Sequence, residues 1–189
     1  MADSPRIHDF EVRTTGIDGL VVLSAFRVEE DRGQVRELFR TSRYGAVPGM
    51  PSAWAQVNLT ATKRGGVRGL HGEAMTKLVS VAAGAAFGVY VDARPDSPTR
   101  GAVETVALAP GLQVLVPAGV CNGFQATSDG GCEYLYMFDQ EWVPGMAGVA
   151  ITPLDAELAI SWPIPIDPED REQISAKDLA APAWAELRG

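Results

Sequence analysis

The 189-residue chain is poor in the residues that build metal centres and disulfide scaffolds. Its two cysteines, Cys121 and Cys132, form no Cys-x-x-Cys pair, and neither lies in a cationic setting. A disulfide framework, a zinc ribbon and a reactive thiol are therefore not expected, and a reducing cytoplasm is the default compartment. Histidine is equally scarce: His8 and His71 are the whole supply. His8 lies in a terminal stretch and reads as ordinary surface. A single remaining histidine cannot supply a multi-histidine ligand set, so no metal is expected. Basic residues number 16 against 24 acidic ones, a formal net charge of −8. Such a chain repels phosphate backbones as a whole and is not expected to bind nucleic acid. A small anion held in a local basic pocket remains compatible with it. No apolar run approaches the roughly 18 residues of a membrane-spanning helix, so no membrane partner is expected. Met1 to Arg6 shows no basic stretch leading into an apolar one, and no secretory signal is expected. Also missing are a G-x-S-x-G elbow, a phosphate-binding G-x-x-x-x-G-K-[ST] loop and a G-x-G-x-x-G dinucleotide fingerprint. Acyl-transfer and nucleotide-hydrolysis readings thus lose their usual support.

What is present describes a globular chain, 46% hydrophobic and 21% charged, long enough to bury a core unaided. Strand-like runs cover Gly19 to Arg27, Lys77 to Ala82, Phe87 to Asp92, Ala102 to Leu108, Leu112 to Val116 and Glu133 to Phe138. Turn signals separate them, such as Pro110-Gly111 and Asp129-Gly130-Gly131. Ala53 to Thr62 carries Trp54, Gln56, Asn58 and Thr60 on one side of a period-2 pattern. Val35 to Arg43 reads as a strand edge or one helical turn. Regular short strands of this kind predict an all-β sandwich or barrel. Ala176 to Leu187 is rich in helix formers and predicts short terminal helices. The expected organisation is one domain over 1–189, with a β core at 17–165 and a helical tail at 166–189.

Arg68, His71 and Lys77 cluster in an otherwise acidic chain, and that local positive group suggests an anion site. Proton transfer is the chemistry these residue types allow. A histidine oriented by a carboxylate is a general base, a tyrosine across a pocket can return the proton, and a lysine can stabilise an enolate. Asp155, Tyr136 and Lys77 are candidates for these parts. Spacing alone does not bring them together, and a solvated charge or a half-buried tyrosine is the competing reading of each.

The order of motifs along the chain resembles a known family. Arg32-Gly33 with Glu37 is followed by Gln56-x-Asn58 and then by Lys63 to His71 (K-R-G-G-V-R-G-L-H). Lys77-Leu78-Val79, Val89 to Arg94 and Ser97-Pro98-Thr99-x-Gly101 come next. Gly123-Phe124, Glu133 to Tyr136, Ile160 to Pro163 and Ser175 to Asp178 complete the set. Each motif is weak alone; the ordered set resembles the deoxysugar-nucleotide epimerases typified by dTDP-4-dehydrorhamnose 3,5-epimerase. The resemblance implies a cupin-like jelly roll, usually a homodimer whose N-terminal strand joins the partner's sheet, working without metal or other cofactor. It implies a dTDP-4-keto-6-deoxyhexose as substrate, epimerised at C3, C5 or both through an enolate in deoxysugar biosynthesis. It implies His71 as base, Asp155 as the carboxylate that orients it, Lys77 beside the enolate oxygen and Tyr136 as proton donor. Arg32, Glu37, Gln56, Asn58 and Arg68 match positions that bind nucleotide or sugar.

The chain departs from the family pattern in places. Cys121-Asn122-Gly123-Phe124 puts Asn122 where a ligand-contacting histidine is usual; asparagine donates a hydrogen bond but cannot relay a proton. Trp142 stands where a tyrosine is usual, and can stack without offering a hydroxyl. The segment Gly72 to Thr76 is short where longer Pro-rich loops are typical. These departures leave a second reading, recruitment to another proton transfer on a natural-product intermediate: isomerisation, dehydration or cyclisation. A non-catalytic binding jelly roll is a third.

Overall fold

The computed structural model describes residues 4–188. The strands are β1 (Arg6–His8), β2 (Glu11–Thr14), β3 (Val21–Ser24), β4 (Arg27–Glu30) and β5 (Gly33–Arg36). After α1 (Thr41–Tyr44) come β6 (Gln56–Thr62), β7 (Val67–Glu73), β8 (Lys77–Gly84) and β9 (Ala86–Asp92). Next are β10 (Val103–Leu108), β11 (Leu112–Val116), β12 (Val120–Ala126), β13 (Cys132–Phe138) and β14 (Gly148–Ala150). The tail holds α2 (Ala176–Leu179) and α3 (Trp184–Leu187).

Two antiparallel sheets face each other, one ordered β2-β3-β11-β8-β13-β6 and the other β10-β9-β12-β7-β14. This is the all-β, cupin-like jelly roll that the motifs imply. A smaller ribbon, β1-β4-β5, is separate from both. Side chains alternate across each strand. Val79, Val81, Val114, Val116 and Tyr134 of the first sheet thus meet Tyr90, Val106, Val120, Phe124 and Ala126 of the second. The intervening residues are buried too. Val89, Val91 and Cys121 pack outward against Ile151, Leu158 and Trp184 from the C-terminal segment. Leu23, Leu78 and Leu115 pack outward against Tyr44 and Val47. Central strands covered on both faces explain why β8, β9 and β11 read as nearly continuous apolar runs.

The run from Gly19 to Arg27 is not one strand. β3 occupies its middle and pairs with β11, and only its last residue, Arg27, belongs to β4, which pairs with β5 in the small ribbon. Val35 to Arg43 likewise divides between the end of β5 and α1. The short strands β1, β2 and β14 were not expected from sequence, nor were the longer β7 and β12. The latter two pair with each other, with a register shift between Asn122 and Phe124. Their glycines are the reason. A Cβ on Gly69 would sit 2.6 Å from Gly123 Cα, and Gly69 itself has φ +112°. The backbones approach more closely than any side chain permits, so glycines that look like turn residues lie inside strands.

Candidate active site

A cleft of about 560 Å³ opens between the two sheets. On β6 the half-buried side is polar: Gln56 and Asn58 point inward, while Val57 and Leu59 face out and are each 56% exposed. β7 contributes Arg68, His71 and Glu73, β8 contributes Lys77, and β12 contributes Asn122. β13 contributes Tyr134 and Tyr136, and residues 171–178 close one side. Tyr134 stacks flat on Phe124, with centroids 3.9 Å apart, and forms an apolar floor.

His71 Nε2 lies 2.7 Å from Asp178 Oδ1. Asp178 is fixed in turn. Ser175 caps α2 by accepting the Asp178 backbone N–H at 3.0 Å, which sets Asp178 in the first turn facing β7. Its second oxygen accepts the Gly69 N–H at 3.4 Å. Burial pushes the Asp178 carboxyl up, but the His71 hydrogen bond and charge, with Ser175 and Gly69, outweigh that and hold it below its ordinary value. A carboxylate on Nε2 makes that nitrogen the N–H donor of neutral imidazole and leaves Nδ1 as proton acceptor.

The expectation for Asp155 is corrected here. Asp155 is buried, but its oxygens accept the backbone N–H groups of Glu157 (2.8 Å), Leu158 (2.9 Å) and Trp184 (2.7 Å). It ties the C-terminal segment down and does not line the cleft. The histidine's partner is Asp178. Its signal was a serine followed three residues later by an acid at the start of a helix, a pattern that places the acid on the first helical turn.

Tyr136 lies on the sheet facing His71, and its hydroxyl is 2.9 Å from Thr60 Oγ1. Lys77 is buried, and its ammonium donates to His71 O (3.1 Å), to Asn122 Oδ1 (2.7 Å) and to the Glu73 carboxylate. Gln56 and Asn58 are hydrogen-bonded to each other, and Gln56 Oε1 accepts the Trp142 N–H at 2.8 Å. Trp142, half exposed, stands at the mouth. Arg68, Arg171 and Lys177 are exposed along the rim, which concentrates positive charge at the mouth of an acidic protein. Glu73, Arg171, Lys177 and Asp178 are additions to the residues expected from sequence.

Two expected ligand residues lie elsewhere. Arg32 sits in the turn between β4 and β5, 84% exposed, with Glu30 2.6 Å away. Glu37 is ion-paired with Arg43 at 2.7 Å and with Arg40. Neither lines this chain's cleft. Among the described residues no three His, Cys, Asp or Glu side chains converge as a metal-ligand set. No helix in the described residues is long and apolar enough to cross a membrane.

A jelly roll with a histidine–aspartate pair on one wall of a cleft and a tyrosine on the facing wall is an arrangement able to move protons on a small ligand. Comparison with known proteins names the family. The dTDP-4-dehydrorhamnose 3,5-epimerase family model matches residues 14–186, and the chain belongs to that family of sugar-nucleotide epimerases. A dTDP-4-dehydrorhamnose 3,5-epimerase of Streptomyces griseus is 32% identical over 181 residues, covering 93% of this chain and 88% of the relative. A solved 4-keto-6-deoxy sugar epimerase from the novobiocin biosynthetic gene cluster of Streptomyces spheroides superposes with a TM-score of 0.87. It is 31% identical, with 98% of this chain and 92% of the other covered. A 3'-monoepimerase of Streptomyces bikiniensis, solved with dTDP-quinovose, gives a TM-score of 0.82 at 28% identity, covering 92% of this chain and 87% of the other.

Proposed function

We propose that this chain epimerises a dTDP-4-keto-6-deoxyhexose at C3, at C5 or at both. The observation that carries the reading is the placement of His71 and Tyr136 on opposing sheets of one cleft. Inverting a carbon requires a proton to leave from one face and return to the other, so base and acid must flank the ring. The 4-ketone acidifies the C–H bonds on either side of it. His71 Nδ1 takes the proton, Asp178 stabilises the imidazolium, and charge moves onto the ketone oxygen as an enolate. The Tyr136 hydroxyl then gives a proton to the other face. Arg68, Arg171 and Lys177 suit the diphosphate, and Trp142 offers a stacking surface for the base at the mouth.

The reading includes a homodimer. β6 turns polar side chains into the cleft and Val57 and Leu59 outward, and Ile7 and Val35 on the small ribbon are 63% and 68% exposed. A second copy covering these faces buries them and lets Arg32 approach a cleft other than its own. Light scattering during size exclusion should give twice the chain mass, and Val57→Glu with Leu59→Glu should give the single mass.

The catalytic test is NMR of dTDP-4-keto-6-deoxyglucose in deuterated water. Deuterium at C3 and C5 is the result for a double epimerase, and at C3 alone for a single one. Folded protein that binds dTDP yet exchanges neither position refutes the reading and favours a recruited reaction.

A further inference from the structure

The polar side of β6 carries Gln56, Asn58, Thr60 and Thr62. Gln56 and Asn58 are hydrogen-bonded to each other, and Thr62 Oγ1 accepts the Arg68 Nε–H at 2.9 Å. All three of these β6 residues line the cleft, and Thr60 does not. Thr60 is half-buried, with its Oγ1 2.9 Å from the Tyr136 hydroxyl. Among the described residues neither of these two oxygens has another hydrogen-bond partner.

The ladder explains the contact. β6 and β13 run antiparallel, with Asn58 opposite Tyr136 and Thr60 opposite Tyr134. Thr60 and Tyr136 are therefore diagonal neighbours on one face, a separation that an aromatic side chain spans. The Tyr136 ring is held along its own strand, with the Tyr134 centroid at 6.0 Å and the Phe138 centroid at 5.1 Å. Threonine is branched at Cβ, which restricts χ1 and with it the place of the hydroxyl. What the packing leaves free is the rotation of two O–H bonds.

The contact by itself permits either hydroxyl to donate. The chemistry selects one. A phenol has a single proton. If Tyr136 gives it to Thr60, none points at the substrate. If Thr60 donates, the phenol proton is left for the cleft, and the Thr60 O–H stays on the phenol oxygen as that oxygen becomes charged. A hydrogen bond to an ionised oxygen is roughly twice as strong as a neutral one, so the contact tightens as the proton leaves.

Resting on the epimerase reading, we propose that Thr60 is a positioning residue for the acid: its hydroxyl donates to the Tyr136 oxygen, turns the phenol proton into the cleft and stabilises the phenolate once that proton has gone to carbon. In that step the Tyr136 O–H bond breaks, the new C–H bond forms with the electron pair of the enolate, and Thr60 keeps its own proton. Water then returns a proton to the phenolate and takes one from the His71 imidazolium. Thr60 does not touch the substrate.

The test uses Thr60→Val, which keeps the branched shape without the hydroxyl, and Thr60→Ser, which keeps the hydroxyl. Thr60→Val should lower kcat for product formation by about tenfold or more, the loss expected for a hydrogen bond to a charged group, with KM within about threefold. Deuterium exchange into recovered substrate should stay within about threefold, because it needs only His71 to remove and return a proton on one face. Thr60→Ser should recover most of the loss. In a Tyr136→Phe background Thr60→Val should cost less than about twofold more, since a residue that acts through the tyrosine has nothing left to act on. Unaltered turnover in Thr60→Val, equal losses of exchange and product, or the full loss repeated in the Tyr136→Phe background each overturns the proposal. Thr60→Ala, read in the same way, covers a valine that misfits the strand. A further readout needs no substrate. In protein labelled with 13C at tyrosine Cζ, the Tyr136 signal, assigned by its loss in Tyr136→Phe, should move in Thr60→Val and return in Thr60→Ser; a signal that stays in place refutes the hydrogen bond. If the unaltered protein exchanges neither C3 nor C5, the epimerase reading falls and the acid step with it, while the Cζ signal still decides whether Thr60 holds Tyr136.

Discussion

Asp178 and Asp155 offer a direct contest, because both are buried carboxylates near the C-terminal segment and only one touches the histidine. Asp178→Asn keeps the shape and removes the charge. Its amide can also turn an NH2 toward Nε2, which forces the ring proton onto Nδ1 and removes the base. A hydrogen bond to a charged partner contributes about 1.5–3 kcal/mol. At about 1.4 kcal/mol for each factor of ten, kcat should fall roughly 10- to 150-fold. The melting temperature should move by only a few degrees, because the remaining amide still fits the site. Asp155→Ala should behave in the opposite way. It strips the acceptor from the N–H groups of Glu157, Leu158 and Trp184. Leaving such donors unmet costs about 3 kcal/mol in total. For a chain of this size that lowers Tm by about 6–12 °C, while the folded fraction should exchange substrate protons at the normal rate. The assays are deuterium exchange at C3 and C5 below the melting transition and a thermal melt of each variant. Asp178→Asn with near-normal exchange, or Asp155→Ala with normal Tm and no exchange, would refute the assignment of Asp178 as the orienting acid.

Tyr136→Phe should slow product formation more than deuterium exchange, by about 100-fold for loss of a positioned acid, since exchange needs only the base; equal losses in both would mean the hydroxyl mainly binds. Gly69→Ala should abolish soluble folded protein, because its Cβ would meet Gly123 Cα at 2.6 Å and Asn122 O at 2.7 Å at a residue with φ +112°; circular dichroism of a well-expressed variant with a normal melt would contradict this close approach. Asp92 is fully buried, and although burial pushes its carboxyl up, hydrogen bonds from Arg94, Ser97 and Thr99 hold it far below its ordinary value. A depressed carboxyl contributes stability above its unfolded value, so urea midpoints should fall below about pH 4 and keep falling as Asp92 and Asp178 protonate, with Asp92→Asn less stable at pH 7 and showing a flatter acid limb. Burial pushes the Cys121 thiol up to about 12 and the Cys132 thiol up to about 11, so the native chain should ignore an aryl disulfide reagent at pH 8 and react fully once unfolded; rapid labelling of the folded chain would contradict the packing.

The strands that hold the core were legible because burial leaves a simple signature. Leu112 to Val116 has the same limits in sequence and structure, and Lys77 to Ala82 and Phe87 to Asp92 lie within β8 and β9. The polar side of β6 was legible for the same reason, a period of two with Gln56, Asn58 and Thr60 in register. What failed was connection at a distance. His71 and its acid are 107 residues apart, and nothing in spacing selects Asp178 over Asp155. Both acids occupy similar local roles at turns, and choosing between them needs the tail docked on β7. Arg32 and Glu37 were legible as a motif, yet their place in the fold lies outside this chain's cleft, which sequence order does not express.

The least strand-like segments are the ones that carry the site, and this follows from what the site requires. To set His71 and Asn122 side by side, β7 and β12 must come together at Gly69 and Gly123, where no side chain fits. Glycine at those positions erases the alternation by which a strand is recognised, while Arg68, His71 and Asn122 replace apolar residues with polar ones that face a cleft. The facing strand, β13, supplies Tyr136 from an unbroken ladder with β6, and its pairing with β8 shifts register only between Glu133 and Tyr134. One wall of the cleft is thus bent where it places His71 and Asn122, and the other places Tyr136. The proposed chemistry on two faces of one carbon fits a fold made of two opposed sheets, because the proposed base, His71, and the proposed acid, Tyr136, stand on different sheets and need no loop to hold them there.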